Sequence, residues 1–565
     1  MQRGSQAGLW ELIDRGTVLR LVFGGAVLTL AINAVGMVSP LFFTQVYDRV
    51  LSTGSLPTLI ALVIAALIAI GIGAAFEQWR TVIFTRLGAN IYVDLESRVF
   101  RATHTAAIQG GQGRRGRPLD DLESVRSTLS GPLPGSLLDL IFAPFLLAIL
   151  YLMNVWLGHF ALLTLAAMAI VTALTQWTIA GSLGKSIEAS QAAASLAESH
   201  MRSAEAAEAM GYQDRALERW ANSNREAVRA QIRSVAQAAG LTSAGRAVRS
   251  GAQILVIALA ASLVLSGDIS AGSIIAASIV LSRLLAPVDS LLGGWRQLAQ
   301  ARLAAQRLRQ LLVRPEPAEA PPTARPLGRL VVDGLVASSN AGVPILRGLT
   351  FTVEPGETVA ILGPTGSGKS TLLRCLMGVW PRITGVVRLD GAPLVDADRR
   401  AVGPWLGFLP QTSDLAPGTI AENIARFSSA APDAVQAAAK AAGAEALIMS
   451  LPRGYETDVG EVGAHLSAGQ RRRIALARAL FNSPSLVCLD EPEANLDRDG
   501  EIALAIALQQ LKAAGVSVII AAHRPSVVAH VDKVMVLKEG RIAQFGPAAE
   551  VLPQLSATNI RRVGP

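Results

Sequence analysis

Gly363-Pro364-Thr365-Gly366-Ser367-Gly368-Lys369-Ser370 has the G-x-x-x-x-G-K-[ST] spacing of a loop that wraps nucleotide phosphates in backbone N–H groups. Lys369 is placed to reach the β- and γ-phosphates, and the Ser370 hydroxyl to sit on Mg²⁺. With the adjacent Thr371 these residues form the expected ATP-binding set. Many unrelated enzymes share such a loop, so alone it says only that ATP or GTP binds. Farther along, Leu486-Val487-Cys488-Leu489-Asp490 reads as a buried strand ending in a carboxylate, followed at once by Glu491. Asp490 suits the Mg²⁺ shell, and Glu491 suits a general base that polarises the attacking water. Such an acidic pair can also cap a following helix. The phosphate loop upstream and His523 downstream, after the strand Val516–Ile520, favour chemistry.

Certain elements must position these groups. Val359–Leu362 is an apolar strand feeding the glycine-rich loop. A helix from Lys369 to Met377 then turns its N-terminus to the phosphates, where its dipole and free N–H groups favour negative charge. Leu330-Val331-Val332 and Phe351-Thr352-Val353 read as further strands, so the C-terminal part is an α/β domain.

The rest of the chain differs in kind. Of 565 residues, 51% are hydrophobic and the mean hydropathy is +0.40, with the apolar excess concentrated in residues 1–312. Six stretches meet the requirement of roughly 20 apolar residues for crossing a bilayer: 18–44, 57–77, 135–156, 159–183, 251–267 and 272–294. The third and fourth are separated only by a tight turn at Trp156-Leu157-Gly158. The first 17 residues show no clear cleavage site, so the first span is read as retained. The net charge of +8 raises the option of nucleic acid, but the arginines cluster in loops 78–134 and 184–250. A positive-inside bias explains that distribution and makes both loops, and both termini, cytoplasmic. A nucleic-acid ATPase would account for the basic charge but not for six spans, and no nucleic-acid partner is expected. Cys375 and Cys488 imply no disulfide framework and suit a reducing cytosol.

The two long loops read as helical extensions of the spans, with tips near 117–128 and 208–216. Polar groups within the spans are Asn33, Asp139, Gln176, Gln253, Arg283 and Asp289. Arg283 either lines a path or pairs with a neighbouring helix. Asp289 is a poor partner for it, because six residues of helix are about 9 Å of rise and put the two on roughly opposite faces. Pro287 between them marks an expected kink. The proline-dense run from Arg314 to Pro326 prevents helix and sheet and implies a stiff linker. The expected division is a membrane domain over 1–313, a linker over 314–329 and an ATPase domain over 330–565.

Leu466-Ser467-Ala468-Gly469-Gln470, opening a basic helix between the two nucleotide elements, resembles the signature of the ATP-binding cassette (ABC) family. That resemblance implies a six-helix exporter-type transmembrane domain fused to a P-loop nucleotide-binding domain. It implies that Gln411 senses Mg²⁺ and the attacking water, and that His523 contacts the γ-phosphate and orients Glu491. It also implies that Ser467, Gly469 and Gln470 of one protomer close on the ATP of another, so that a homodimer completes the unit. Gln411–Ile424 and Thr457–Gly463 look like exporter segments, and the fusion order is that of exporters.

Ser39-Pro40-Leu41-Phe42-Phe43-Thr44-Gln45-Val46-Tyr47-Asp48-Arg49-Val50-Leu51 is similar to the end of the first span in type I secretion ATPases. Ser278–Pro287 with Trp295, and Asp490–Asp497, resemble that group as well. The expected cargo is then an unfolded polypeptide with an uncleaved C-terminal signal, passed through a periplasmic adaptor protein and an outer-membrane channel. The protein would reside in the bacterial inner membrane. No peptidase domain precedes the first span, which disfavours leader-cleaving export. Lipid or drug export would use the same cassette, and an ATP-gated scaffold that does not pump would show a damaged catalytic set. Two departures stand out: Ala468 replaces the usual glycine, and no aromatic lies near Ser338 to stack on adenine.

Overall fold

The computed structural model describes residues 15–108, 118–313, 325–394, 397–522 and 524–560. The main division of the backbone falls between Arg314 and Pro315. The expected linker lies largely outside the described residues, since 314–324 are among those left out.

Among the described residues of the first unit, five helices are long and apolar enough to cross a membrane, and six when one bent pair counts as a single span. Span one runs through Arg15–Gly36, Val38–Gln45 and a π-helical turn, Val46–Val50, reaching Thr53 rather than ending at residue 44. Span two belongs to Leu56–Ile108, span four to Val155–Arg202, span five to Gln213–Leu265 and span six to Gly272–Leu312. Each continues well beyond a bilayer's needs, as the helical period of the loops predicts. Helix Gly272–Leu312 passes through Pro287 without ending.

Span three departs most from its expected continuous form. It is broken into Leu133–Ile141 and Ala143–Met153, bent by 46°. Pro144 stands in the first turn of the second piece, where its missing N–H and ring end the preceding helix. The turn before span four is also placed differently. Asn154, not Trp156–Gly158, makes the corner, and its side-chain oxygen accepts from Trp156 N at 2.9 Å to cap the next helix. The loop tips hold helices Pro118–Leu129 and Ala204–Ala209.

Long-range polar contacts tie the spans together. Arg80 is buried and donates to Asp139 at 2.9 Å and to Glu77 at 3.0 Å, while Asn33 donates to Asp139 at 3.2 Å. Spans one, two and three therefore share one ion network. Asp289 pairs with Arg249 of span five, and Gln253 donates to Ser278 of span six. Arg283 packs its guanidinium on Gly36 of span one, a position that leaves no room for a Cβ.

At the opposite end of span one, Asp48 accepts from Gly272 N at 2.8 Å and from Ser270 Oγ at 2.5 Å. A Cβ on Gly272 would stand 2.8 Å from Thr44 Cα, so glycine permits this close approach.

A buried charge left without its partner costs far more than the intact pair contributes. Arg80→Met alone is thus expected to destabilise the protein by about 3–5 kcal/mol, and Arg80→Met with Asp139→Leu by much less. Thermal unfolding of the single and double variants in detergent, read as a double-mutant cycle, checks this; equal losses in the two would refute the pairing.

The described residues of the second unit form two sheets. An antiparallel sheet runs β2-β1-β4-β5, comprising Pro344–Val353, Leu330–Ser338, Ile383–Leu389 and Ala392–Pro393. The other runs β10-β9-β3-β8-β7-β6, in which Lys533–Lys538 (β9), Thr358–Leu362 (β3), Ser517–Ala521 (β8), Leu486–Asp490 (β7) and Leu406–Leu409 (β6) are parallel. Arg541–Pro547 (β10) adds an antiparallel edge. Strands β3, β7 and β8 are almost wholly buried, which matches their unbroken apolar sequences and a sheet covered on both faces.

Candidate nucleotide site

The loop after β3 and the carboxylates after β7 meet because β8 alone separates these two parallel strands. Nucleotide sites of open α/β sheets form outside such carboxyl ends. Gly363 lies so close to the Leu537 carbonyl oxygen that a side chain would overlap it. Gly368, at φ 102°, opens helix Lys369–Leu376, and its missing Cβ leaves space 2.8 Å from Leu346. Lys369 is buried, and its ammonium donates to the Gly363 and Pro364 carbonyls at 2.8 and 3.2 Å. Burial lowers its pKa, opposed by the charges of Glu491 and Asp490.

Ser370 Oγ donates to Asp490 Oδ1 at 3.1 Å. Asp490 is buried, which pushes its carboxyl above the ordinary range, and its Oδ2 has no hydrogen-bond partner. A buried, half-satisfied carboxylate beside a hydroxyl is a hard-oxygen pair that fits Mg²⁺, an ion that takes few protein ligands and keeps water and phosphate for the rest. Ser367 Oγ, within the loop, is also buried without a partner, as a group awaiting a phosphate would be.

Glu491 adopts φ 50°, uncommon for a residue with a side chain, and its N–H donates to Ala521 O at 2.8 Å. Gln411, from the segment after β6, donates through Nε2 to Glu491 Oε2 at 3.3 Å. The sequence-read residues Lys369, Ser370, Asp490, Glu491 and Gln411 thus gather at one mouth. His523 lies outside the described residues.

Ser467 and Gln470 are occupied locally. Ser467 Oγ accepts from Gln470 N at 3.2 Å while Gln470 Oε1 accepts from Ser467 N at 2.8 Å, a reciprocal cap of helix Ala468–Leu480. Ala468 is exposed in the first turn, so its methyl replaces glycine without a clash. A Cβ on Gly469, by contrast, would stand 2.9 Å from the Asn495 carbonyl oxygen.

Sequence reasoning missed Arg472. Its guanidinium is buried and donates to five acceptors: Pro410 O (2.8 Å), Gln411 O (2.9 Å), Ser413 Oγ (2.8 Å), Asp490 O (2.5 Å) and Glu491 O (2.6 Å). It therefore fastens the Gln411 segment and the Asp490-Glu491 pair to the signature helix. The available signal was periodic: Arg472 shares a buried face with Ala475, Leu476 and Ala479 at helical spacing. Cys375 and Cys488 are buried, which raises both thiols, Cys375 to about 12, and removes them from thiolate chemistry.

Known proteins share this architecture. Residues 346–494 match the profile described as ABC transporter, and residues 22–288 the ABC transporter transmembrane region. The chain is 40% identical over 536 residues to the type I secretion system ATP-binding protein PrsD of Rhizobium meliloti, covering 94% of this chain and 92% of that one. It is 29% identical to the leukotoxin translocation ATP-binding protein LktB of Mannheimia haemolytica, over 93% and 75% of the two chains. The Toxin RTX-I translocation ATP-binding protein of Actinobacillus pleuropneumoniae matches at 29% with the same shares. Among solved structures, a bacterial Atm1-family ABC exporter with ATP bound superposes with a TM-score of 0.85 at 25% identity, over 98% of this chain and 100% of that one. The likeness to a type I secretion ATP-binding protein runs over nearly the full length of both chains, and the chain belongs to the ABC transporter family, among its type I secretion ATPases.

Proposed function

We propose that two copies of this chain form an ATP-driven exporter in the bacterial inner membrane, with both termini in the cytosol. Its cargo is an unfolded polypeptide bearing a C-terminal signal, handed to a periplasmic adaptor protein and an outer-membrane channel. The observation that carries the ATPase half is the convergence of Ser370, Asp490, Glu491 and Gln411 on the phosphate loop. Polypeptide cargo is supported by likeness to secretion and toxin-translocation proteins.

In this reading the backbone of Gly363–Gly368 with Lys369, Ser370 and Thr371 holds the triphosphate. Mg²⁺, held by Ser370 and Asp490 with Gln411 near it, would neutralise charge on the transferred phosphate. Glu491 accepts the proton of the attacking water, and the Gln411 amide, donating to its carboxylate, keeps that carboxylate aimed. His523 is assigned to the γ-phosphate. Ser467, Gly469 and Gln470 close on the partner subunit's nucleotide, so hydrolysis requires the dimer.

Quantitative proteomics of the culture medium, comparing wild type with Glu491→Gln in the native host, tests the cargo class. Loss of one or a few leaderless proteins from the medium, with retention in the cells, is the expected outcome. An unchanged medium under conditions of expression would move the assignment to lipid or small-molecule export.

A further inference from the structure

The turn after β1, where an adenine-stacking aromatic is missing, is not bare. Ser338 N donates to Arg382 O at 3.0 Å, joining the end of β1 to the residue before β4. Trp380 reaches the same turn, its indole N–H donating to Ser338 O at 3.1 Å. Arg382 then lays its guanidinium against the turn, with Nη1 donating to Asn340 O at 2.8 Å. Trp380 is half-buried against the core beneath the sheet, while Arg382 is exposed. One residue pair is thus divided between anchoring and display.

This turn adjoins the phosphate loop through β2. Ile345 and Leu346, at the start of β2, pack on Gly368, the last glycine of the loop, at 3.5 and 2.8 Å from where its Cβ would lie. Just before them, Val343 is 59% exposed. The metal and the attacked phosphate belong at Ser370, Asp490 and Glu491. A sugar and base leading away from those groups along the start of β2 would meet exposed Val343, with Arg382 tethered beside it at Asn340.

We propose that Arg382 is the base-binding residue of this ATPase, stacking its guanidinium plane on the adenine of ATP, with Trp380 anchoring the turn that holds it. A guanidinium is flat, weakly hydrated and stacks on aromatic faces, and the purine offers such a face. Its hydrogen bond to Asn340 O fixes the side chain before the nucleotide arrives, so less rotamer freedom is lost on binding. Arginine here does what an aromatic at Ser338 would otherwise do, from the residue that leads into β4. Lysine is no substitute, because it has charge without a plane.

The test uses the full-length protein in lipid nanodiscs. Arg382→Ala is expected to raise the KM for ATP by about five- to tenfold with kcat unchanged. Inhibition by inorganic tripolyphosphate, which has no base, should keep its wild-type constant. Arg382→Lys should behave as Arg382→Ala, and adding Ser338→Tyr to Arg382→Ala should restore the KM by returning a ring to the turn. Three results overturn the proposal: an unchanged KM in Arg382→Ala, an equal weakening of tripolyphosphate, or a wild-type KM in Arg382→Lys. The last would reduce Arg382 to a positioning residue for the turn.

Discussion

Glu491→Gln is expected to lower ATP turnover by about 10²- to 10⁴-fold while leaving ATP affinity close to wild type. The amide has nearly the shape of the carboxylate but cannot accept a proton at neutral pH, so the loss falls on the chemical step. The backbone at Glu491 lies at φ 50° and is held by its N–H to Ala521 O and by Arg472 to its carbonyl oxygen. None of these contacts uses the side chain, so the fold should tolerate the change. Steady-state phosphate release, together with ATP binding by the same purified protein, separates the two effects. Turnover within a few-fold of wild type would exclude Glu491 as the base. Because the sites are expected to close across two protomers, the variant should also trap ATP in a dimer of ATPase domains. Size-exclusion chromatography with and without ATP reads that state.

The second large effect is expected at Arg472. Replacing it by Ala strips five hydrogen bonds from a buried position and leaves four backbone carbonyls and a serine hydroxyl to find other partners. Each buried acceptor left unsatisfied costs about 1–3 kcal/mol, so a loss of several kcal/mol is expected even when water enters the space. Arg472→Lys should recover only part, since an ammonium cannot span acceptors at residues 410–413 and 490–491 at once. The functional loss should exceed the stability loss. Gln411 and Glu491 are held through this one guanidinium, and small misplacements of catalytic groups are costly. Thermal unfolding and ATPase assays on Arg472→Ala and Arg472→Lys measure both. An Arg472→Ala protein with wild-type melting and turnover would show that the network is incidental.

Arg472 also marks where sequence reading stopped. Gly363–Ser370 and Asp490-Glu491 are contiguous motifs, and their chemistry follows from residue types at fixed spacing on a strand and the turn after it. Span positions followed equally directly, because hydropathy over a bilayer's length is a local property. Arg472, by contrast, is one of three consecutive arginines; the helical period marks it as the inward one, but nothing local names the Gln411 segment and the strand end as what it meets. Span three failed for a different reason. Its hydropathy is continuous, but Pro144 breaks the backbone ladder without interrupting the apolar run.

Chemistry and class are legible in the residues alone: a nucleotide loop, a carboxylate pair, a signature helix, and apolar runs enough for an exporter-type membrane domain. Each is encoded within a short stretch, where spacing along the chain is spacing in space. The partners of isolated polar groups come from the folded chain instead. Asp139 takes Arg80 and Asn33, Asp289 takes Arg249, and Asp48 takes the start of the sixth span, over separations of 40 to 224 residues. A buried charge must find a counter-charge or a hydrogen bond, but that requirement names no particular partner. Helix packing does, by setting which faces meet.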